Sequence, residues 1–302
     1  MPLSPEPCVA TVLARKGLQQ FEGARLSAIG AALPGAGSPI WLEAERAVDI
    51  PFHAIPADLA ALRSSLDAVI GGAALDLVLQ PMTGRRKQLL LADMDSTMIG
   101  QECIDELADV AGFGAQVAAI TERAMRGELP FEPALRERVA LLRGLPVSTI
   151  DDVLARRITL MPGGSTLVRT MKANGAYCAL VSGGFTLFTD AVAALIGFDE
   201  HRSNTLQVEG DRLAGTVAEP ILGREAKRER LLALRDTLQL APSAVMAVGD
   251  GANDLAMLAE AGLGVAFHAK PAVAAAARAR IDHNDLEALL FIQGYARTEF
   301  VD

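Results

Sequence analysis

Short apolar segments that stop abruptly at polar residues recur along this chain. Residues 89–92 (LLLA) show no polar alternation, which is typical of a strand covered on both faces in a parallel sheet. Residues 177–181 and 245–248 have the same character and are followed by small or acidic residues. Ligands of open α/β sheets bind beyond the carboxyl ends of the strands. The pattern therefore predicts a parallel sheet with polar side chains gathered along one edge.

Residues 1–85 are predicted to form a separate small module. Its segments follow the order β-α-β-β-α-β of a ferredoxin-like module, with strands at 8–14, 39–43, 47–53 and 75–79 and helices at 22–33 and 57–70. No catalytic constellation lies in it, and His53 is interpreted as a turn or surface residue. The basic stretch 83–87 is interpreted as a solvated linker.

Between residues 101 and 157 the alternation of strand and helix is suspended. Apolar residues recur there at helical spacing, and Gly and Pro residues at 112, 127–130 and 144–146 divide the stretch into about four helices. We expect a helical cap, inserted at about 101–160, that acts as a lid.

The α/β rhythm returns at Met161. Strands are predicted at 177–181, 245–248 and 264–267, a hairpin at 206–219, and helices at 164–174, 186–195, 228–238 and 255–261, with further helices closing the chain. The predicted fold class is α/β: a doubly wound, Rossmann-like parallel sheet in residues 86–302 with the inserted cap, preceded by the α+β ferredoxin-like module.

The composition of the chain limits which partners and which cellular compartment we expect. The 302 residues are 51% hydrophobic and 22% charged, with a net charge of -9, so the chain lacks the positive field of a nucleic-acid or anionic-membrane binder. Cys8, Cys103 and Cys178 lack C-x-x-C spacing, which predicts reduced core thiols. Neither a signal peptide nor an apolar run of ~18 residues is recognisable, so we expect a cytoplasmic protein.

Asp93 and Asp95 directly follow the apolar run at 89–92. On an extended backbone, residues two apart point to the same side, so the two carboxylates can share one site. Two carboxylates at such a short distance repel each other, and a hard cation such as Mg²⁺ relieves the repulsion. A plain polar turn is the alternative, because Asp also favours turns.

Two other strand ends carry related chemistry. Ser182 and the two glycines after it let backbone N–H groups approach an anion, as in a phosphate cradle. Asp250 lies in a glycine-rich turn where it can complete an oxygen-rich metal site with Asp93, and Lys227 offers a positive charge for a phosphoryl oxygen. Each also has a plain alternative: the first two as turns, Lys227 as a solvated charge in the run 224–230. Their joint occurrence in this order indicates phosphate chemistry.

Three motifs and one lysine carry a resemblance to a known family. DMDSTM at 93–98, VSGGF at 181–185, VGDGAND at 248–254 and Lys227 resemble the haloacid-dehalogenase-like superfamily and, within it, the phosphoserine phosphatases. The resemblance covers about residues 89–290 and implies an aspartate nucleophile. It implies these roles: Asp93 as nucleophile; Asp95 as general acid and base; Mg²⁺ on the carboxylates of Asp93 and Asp250 and the carbonyl of Asp95; Ser182, Gly183 and Lys227 on the phosphoryl group; and Gly184, Asn253 and Asp254 in support, with Asn253 near the substrate.

Substrate choice is expected to depend on the cap. Phosphoserine carries an ammonium and a carboxylate besides its phosphate, so its site needs one negative and one positive side chain. The family pattern matches Glu102 in GQECIDE to the ammonium and Arg138 in FEPALRERV to the carboxylate, with Phe131 and Met125 as an apolar cover. Arg138 could instead be a surface arginine, and the two apolar residues could serve ordinary helix packing.

The leading hypothesis is a Mg²⁺-dependent phosphoserine phosphatase that forms an aspartyl phosphate, by resemblance the last enzyme of L-serine biosynthesis. Alternatives are a phosphatase for another small phosphomonoester, a phospho-acceptor switch, and an amino-acid sensor in which the N-terminal module is the active part. Asp95 argues against a switch, which gains nothing from a residue that hydrolyses its own phosphate. The N-terminal module is similar to ACT-like regulatory modules; we expect a regulatory, dimerising or structural role for it, including a homodimer, and no nucleic-acid or membrane partner.

Overall fold

The computed structural model describes residues 6–15, 17, 23–54, 58–125 and 128–302. The strands in this part of the chain are β1 (Glu6–Ala14), β2 (Ile40–Glu43), β3 (Ala47–Ala54), β4 (Leu75–Pro81), β5 (Leu89–Ala92), β6 (Tyr177–Phe185), β7 (Glu200–Asn204), β8 (Leu206–Glu209), β9 (Arg212–Val217), β10 (Val245–Gly249), β11 (Leu263–Phe267) and β12 (Ala279–Ile281). The helices are α1 (Gly23–Ala32), α2 (Leu59–Ile70), α3 (Cys103–Val110), α4 (Gly114–Met125), α5 (Phe131–Ala140), α6 (Ser148–Arg156), α7 (Gly164–Ala173), α8 (Thr186–Ile196), α9 (Arg224–Thr237), α10 (Leu255–Glu260), α11 (Pro271–Ala276) and α12 (Ala288–Phe291). Residues 22, 57 and 127, which the sequence analysis assigned to two helix starts and a helix break, lie outside the described residues.

The N-terminal elements form one antiparallel sheet in the order β2-β3-β1-β4, as a ferredoxin-like module requires. Alternate residues of β1 (Cys8, Ala10, Val12 and Ala14) share a buried cluster with apolar residues of α1 and α2. This alternation is the usual sign of a sheet with one face on its own helices. The predicted ferredoxin-like architecture is confirmed.

The larger sheet has the order β12-β11-β10-β5-β6-β7, and every pairing in it is parallel. β5 lies in the middle and is fully buried, as its unbroken apolar run predicts. The chain continues from β5 to β6 on one side, while β10 pairs on the other, so the crevice beyond β5 is a topological switch point. The predicted parallel α/β fold is therefore confirmed.

Two strands, β7 and β12, escaped the sequence analysis, and both lie at the edges of this sheet. β7 reads EHRSN and β12 reads ARI, so neither shows an apolar run. An edge strand has only one neighbour and can carry polar side chains toward solvent. Position in the sheet, rather than local composition, decides that these segments become strands.

Helices α3–α6 occupy the predicted cap region. The segments that enter and leave this region pair with each other, since Gly100 N donates to Thr159 O at 3.0 Å and Met161 N donates to Met98 O at 2.9 Å. The β8–β9 hairpin joins the cap as well, because Gly144 N donates to Leu213 O at 2.8 Å. The cap is thus built from two separate stretches of sequence.

The second face of the N-terminal sheet packs on the C-terminal residues 282–293. Arg46 contacts Glu287 and Asp285 at 2.5 and 2.9 Å, and Asp76 accepts hydrogen bonds from three successive backbone N–H groups at 282–284. Arg85 pairs with Asp49 at 2.7 Å. Lys87, 7% exposed, donates to two backbone carbonyls. The interpretation of 83–87 as a solvated linker is therefore wrong for two of its basic residues. Arg85 satisfies a carboxylate of the N-terminal sheet, and Lys87 satisfies the carbonyls of Gly84 and Ser243.

Within the described residues, we find no helix with both the length and the apolar character needed to span a membrane.

Candidate active site

Asp93 lies one residue beyond the buried strand β5. Its N–H donates to Val248 O of β10 at 3.0 Å, so the backbone is fixed by the neighbouring strand. The side chain is 6% exposed, and its Oδ2 lies 2.7 Å from Lys227 Nζ. Burial raises the pKa of Asp93 well above its ordinary value, the negative charge of Asp254 adds to this, and Lys227 opposes it. The residue is therefore a carboxylate that needs positive charge around it.

Lys227 supplies that charge from α9. Its Nζ lies 2.7 Å from Asp93 Oδ2 and 2.7 Å from Asp254 Oδ1, and its side chain is 1% exposed. Burial alone would lower the pKa of Lys227, but the two carboxylates outweigh burial and raise it. The solvated-charge alternative is excluded by this burial. The sequence analysis placed the start of this helix after Lys227, whereas α9 begins at Arg224. The first turn was missed because it is charged and shows no apolar periodicity.

Carboxylate oxygens of Asp93, Asp250 and Asp254 all lie within 4.8 Å of one another. Asp254 is fully buried and anchored, since its Oδ1 accepts from Lys227 and its Oδ2 accepts from Gly251 N at 3.0 Å. Burial raises the pKa of Asp250 to about 6, with contributions from the charges of Asp254 and Glu102. One lysine against three carboxylates leaves negative charge unbalanced, and an all-oxygen donor set suits a hard divalent cation. The cluster therefore has the chemistry of a metal site.

The sequence analysis expected carboxylates from Asp93 and Asp250 and the backbone carbonyl from Asp95. The structure brings the two carboxylates together and adds that of Asp254, which was expected only in a supporting role. A Cβ at Gly249 would overlap the Asp254 side chain, so this close approach requires glycine.

The phosphate-cradle residues lie at the end of β6. Ser182 is 1% exposed, and its Oγ accepts a hydrogen bond from Gly184 N at 2.9 Å. A Cβ at Gly184 would lie 2.9 Å from Asp95 Oδ2, which explains why the smallest residue stands there. Gly183 faces the ring of Phe131, whose Cζ would be 3.5 Å from a Cβ at that position. The loop is thus narrow, rich in backbone N–H groups and covered by an aromatic ring from the cap.

Asp95 is held by the beginning of α3. Its Oδ1 accepts from Cys103 N at 3.1 Å. The pKa of Asp95 is raised to about 7, first by burial and then by the charge of Glu102, while the hydrogen bonds from Cys103 oppose the rise. A carboxyl group that titrates near neutral pH can both give and accept a proton, as a general acid and base must.

The cap brings Glu102 and Arg138 close enough for their charges to interact. Glu102 is exposed and accepts from Ser96 Oγ at 2.7 Å. Arg138 is half-buried, and burial lowers its pKa while the negative charges of Asp105, Glu102 and Asp95 oppose this. Arg138 donates through Nε to a backbone carbonyl of its own helix at 3.3 Å. The charges expected to select the substrate therefore lie within electrostatic reach of each other and of Asp95.

Two further predicted residues are placed less tightly. Phe131 is 40% exposed, and its ring also approaches Gly223, where a Cβ would lie 3.5 Å from the ring. Asn253 Nδ2 lies 3.5 Å from Asp93 Oδ2. Met125 ends α4, but its side chain lies outside the described part of the structure.

Sequence reasoning missed three residues that support the site. Thr97 donates to Asp250 Oδ1 at 3.2 Å and lies within the DMDSTM motif, so its place beside the aspartates was a usable signal. Ser96, with a left-handed φ of 55°, donates to Glu102. Asn204 lies at the end of the unpredicted strand β7 and had no signal in the sequence.

Comparisons with known proteins agree with this geometry. A family model described as haloacid dehalogenase-like hydrolase matches residues 90–259. A phosphoserine phosphatase of Polaromonas sp. is 47% identical over 208 residues, which cover 67% of this chain and 88% of that protein. A solved structure of a substrate-bound phosphoserine phosphatase complex is 38% identical with a TM-score of 0.63, covering 68% of this chain and 97% of that one. A haloacid dehalogenase family hydrolase from Salmonella enterica serovar Typhi has a TM-score of 0.84 at 29% identity, covering 95% of this chain and 98% of that one. This chain therefore belongs to the haloacid dehalogenase-like hydrolase family.

Proposed function

We propose that this protein is a phosphoserine phosphatase that hydrolyses O-phospho-L-serine to L-serine and phosphate. The observation that carries the proposal is the juxtaposition of two sets of charges. Asp93 and Lys227 lie beside the phosphate loop, and Glu102 and Arg138 lie beside Asp95. A phosphoserine molecule has matching groups: a phosphoryl group for the first set, and an ammonium and a carboxylate for the second. The names of the similar proteins support the same substrate.

The first half-reaction transfers the phosphoryl group to the enzyme. Asp93 attacks phosphorus in line, and the bond to the serine oxygen breaks. Lys227, the Ser182 hydroxyl and the Gly183 N–H stabilise the negative charge on the phosphoryl oxygens. Asp95 gives its proton to the departing alkoxide, so serine leaves as a neutral alcohol.

The second half-reaction releases phosphate. Asp95, now ionised, takes a proton from water, and the resulting hydroxide attacks the phosphorus of the aspartyl phosphate. The bond between phosphorus and the Asp93 carboxylate breaks, which restores both aspartates to their starting states. This requires a carboxyl group whose pKa lies near neutrality, which is where burial and Glu102 place that of Asp95, at about 7.

We also propose Mg²⁺ as the cofactor. The carboxylates of Asp93 and Asp250 and the carbonyl of Asp95 would hold it, while Asp254, whose oxygens are bonded to Lys227 and Gly251, would keep the cluster in place. A bound divalent cation supplies positive charge next to the phosphoryl oxygens.

The cap residues would select the substrate. We assign the substrate carboxylate to Arg138 and its ammonium to Glu102, with Phe131 and Met125 as the apolar cover and Asn253 near the reacting group. Arg138 has described hydrogen bonds only at 3.3 and 3.5 Å, so its guanidinium retains donor capacity for a carboxylate.

The organisation of the whole chain remains a proposal as well. Residues 1–85 would form an ACT-like regulatory or dimerising module, and residues 86–302 the phosphatase domain with its cap at 101–160. The module's own buried cluster supports the division, and the exposed Ile40 and Trp41 on edge strand β2 support contact with a second copy. Three buried free thiols support a cytoplasmic location.

The test is phosphate release from L-phosphoserine, phosphothreonine and an aryl phosphate in the presence of Mg²⁺. We expect kcat/KM for phosphoserine to exceed the others by about 100-fold or more, the discrimination that a matched polar pocket can supply. Similar rates on all three would overturn the substrate but keep the chemistry. Activity that survives thorough chelation with EDTA would contradict the metal.

A further inference from the structure

The phosphate loop lies in an irregularity of the parallel sheet. β6 and β7 pair with Val181 opposite Arg202 and next with Phe185 opposite Asn204. Residues 182–184 of β6 therefore face only Ser203 of β7, and the loop bulges out of the ladder. Backbone groups in such a bulge lose their strand partners, and buried ones must find others.

The side chain of Asn204 provides the missing partner. Its Nδ2 donates to Gly183 O at 2.8 Å and to Leu222 O at 3.2 Å, and its Oδ1 accepts from Leu222 N at 2.7 Å. Asn204 is 2% exposed, so these bonds are made away from water. Both donors and one acceptor position of the amide are used, which fixes its orientation.

One consequence concerns the hydroxyl of Ser182. The Gly183 carbonyl and the Gly184 N–H belong to a single planar peptide group. Asn204 donates to the oxygen of this peptide group, and the Gly184 N–H of the same group donates to Ser182 Oγ at 2.9 Å. Because Ser182 Oγ accepts from that side, its own proton points elsewhere and remains available for a phosphoryl oxygen.

A second consequence concerns α9. Leu222 immediately precedes Gly223, the N-cap of the helix that carries Lys227. The ring of Phe131 approaches both Gly183 and Gly223. One amide therefore sets the spacing between the phosphate loop, the start of the lysine helix and the place where the cap's aromatic ring rests.

We propose that Asn204 is a positioning residue that orients Ser182, Gly183 and the start of α9 around the phosphoryl group. This rests on the proposed phosphatase function but not on the identity of the substrate. Asn204 acts on the group that all phosphomonoesters share, whereas Glu102 and Arg138 would act on the rest of phosphoserine. Its loss should weaken every phosphomonoester alike.

The experiment uses Asn204→Asp in the full chain. Aspartate keeps the shape and the acceptor for Leu222 N but places an oxygen against two carbonyls. We expect kcat/KM to fall about 10- to 100-fold for phosphoserine and an aryl phosphate alike, as misplaced binding groups cause. The dissociation constant of inorganic phosphate, measured by calorimetry, should rise about 5-fold or more, while the ratio of kcat/KM between the two substrates stays within about 2-fold.

The matched control is Asn284→Ala. Asn284 is 3% exposed and bonds Asp76 at the contact between the two sheets, so its loss should lower Tm but leave KM and phosphate affinity unchanged. Unchanged phosphate affinity in folded Asn204→Asp, or a loss of active fraction alone, would overturn the proposal.

Asn204→Ser serves the same measurements if the aspartate variant does not fold, with the same outcomes deciding. If the wild type hydrolyses other phosphomonoesters with a kcat/KM similar to that for phosphoserine, the proposed function fails. The phosphate titration still decides the role of Asn204 in that case. If the wild type binds phosphate too weakly to titrate, equal falls in kcat/KM on both substrates would support the role of Asn204, and unchanged kcat/KM would overturn it.

Discussion

The floor of the site and its cap hold their charged residues in different ways. On the floor, Asp93, Lys227 and Asp254 are at most 6% exposed and bonded at 2.7 Å. On the cap, Glu102 is exposed, and the hydrogen bonds that Arg138 makes to described residues are 3.3 and 3.5 Å long. The floor is therefore organised before the substrate arrives, which phosphoryl transfer requires. We infer that the cap charges obtain their full partners from the substrate itself.

The largest effect should come from the floor, with Asp93→Asn. Without a nucleophile, turnover should fall below about 10⁻⁴ of the wild type. Tm should stay the same or rise, because burial and Asp254 already make the charged form of Asp93 unfavourable in the folded state. Steady-state assays and a thermal melt check both points. Near-normal activity in this variant would remove the mechanism.

The next effect should come from the cap, with Arg138→Ala. We expect kcat/KM for phosphoserine to fall about 10- to 100-fold through KM, because a charged hydrogen-bond partner is lost. A phosphomonoester without a carboxylate should be affected less than about 3-fold. Equal losses on both substrates would reduce Arg138 to a structural role and blur the contrast between cap and floor.

A smaller effect connects the two regions through pH. In the proposed mechanism, the first half-reaction uses protonated Asp95, so kcat/KM should decline as pH rises through the pKa of Asp95, about 7. Glu102 raises that pKa, and Glu102→Gln should therefore move the decline to lower pH by up to about 1 unit. The substrate for this test is glycerol phosphate. It has no ammonium group, so the effect of Glu102 on the pKa of Asp95 is separated from its proposed contact with the substrate. Glu137→Gln, a charge change at an exposed pair with Arg123, should not move the profile.

The smallest effect is expected at the rim of the cap. Arg136, on the same helix as Arg138, pairs with Glu219 of the loop before α9 at 2.5 Å, and the two side chains are 48% and 58% exposed. Exposed pairs contribute little, so Arg136→Ala should change kcat/KM by less than about 2-fold. It is thus the matched control for Arg138→Ala. A loss as large as that of Arg138→Ala would show that closing the cap, rather than recognising a carboxylate, limits the reaction.

Much of the fold could be predicted because its central strands are marked locally. β5 and β10 are unbroken apolar runs, whereas β7 and β12 are not and were missed. A central strand is buried on both faces, so it must be an apolar run that can be recognised in the sequence. An edge strand can be polar, and it forms because a neighbouring strand offers hydrogen bonds. The β8–β9 hairpin was predicted because its turn and strands are adjacent in sequence. Its contact with the cap was not predicted, because Gly144 and Leu213 are far apart in the chain.

The sequence by itself was enough to predict which residues gather at the candidate site. Asp93 and Ser182 stand directly after an apolar run and Asp250 stands one residue further on, and the ends of parallel strands converge on one crevice. Only the tertiary structure decided how they are held: Asp254 drawn into the acidic cluster, Asn204 bonding the phosphate loop. Strand ends follow from local burial, while these contacts join residues far apart in the chain, whose meeting depends on the packing of the whole fold.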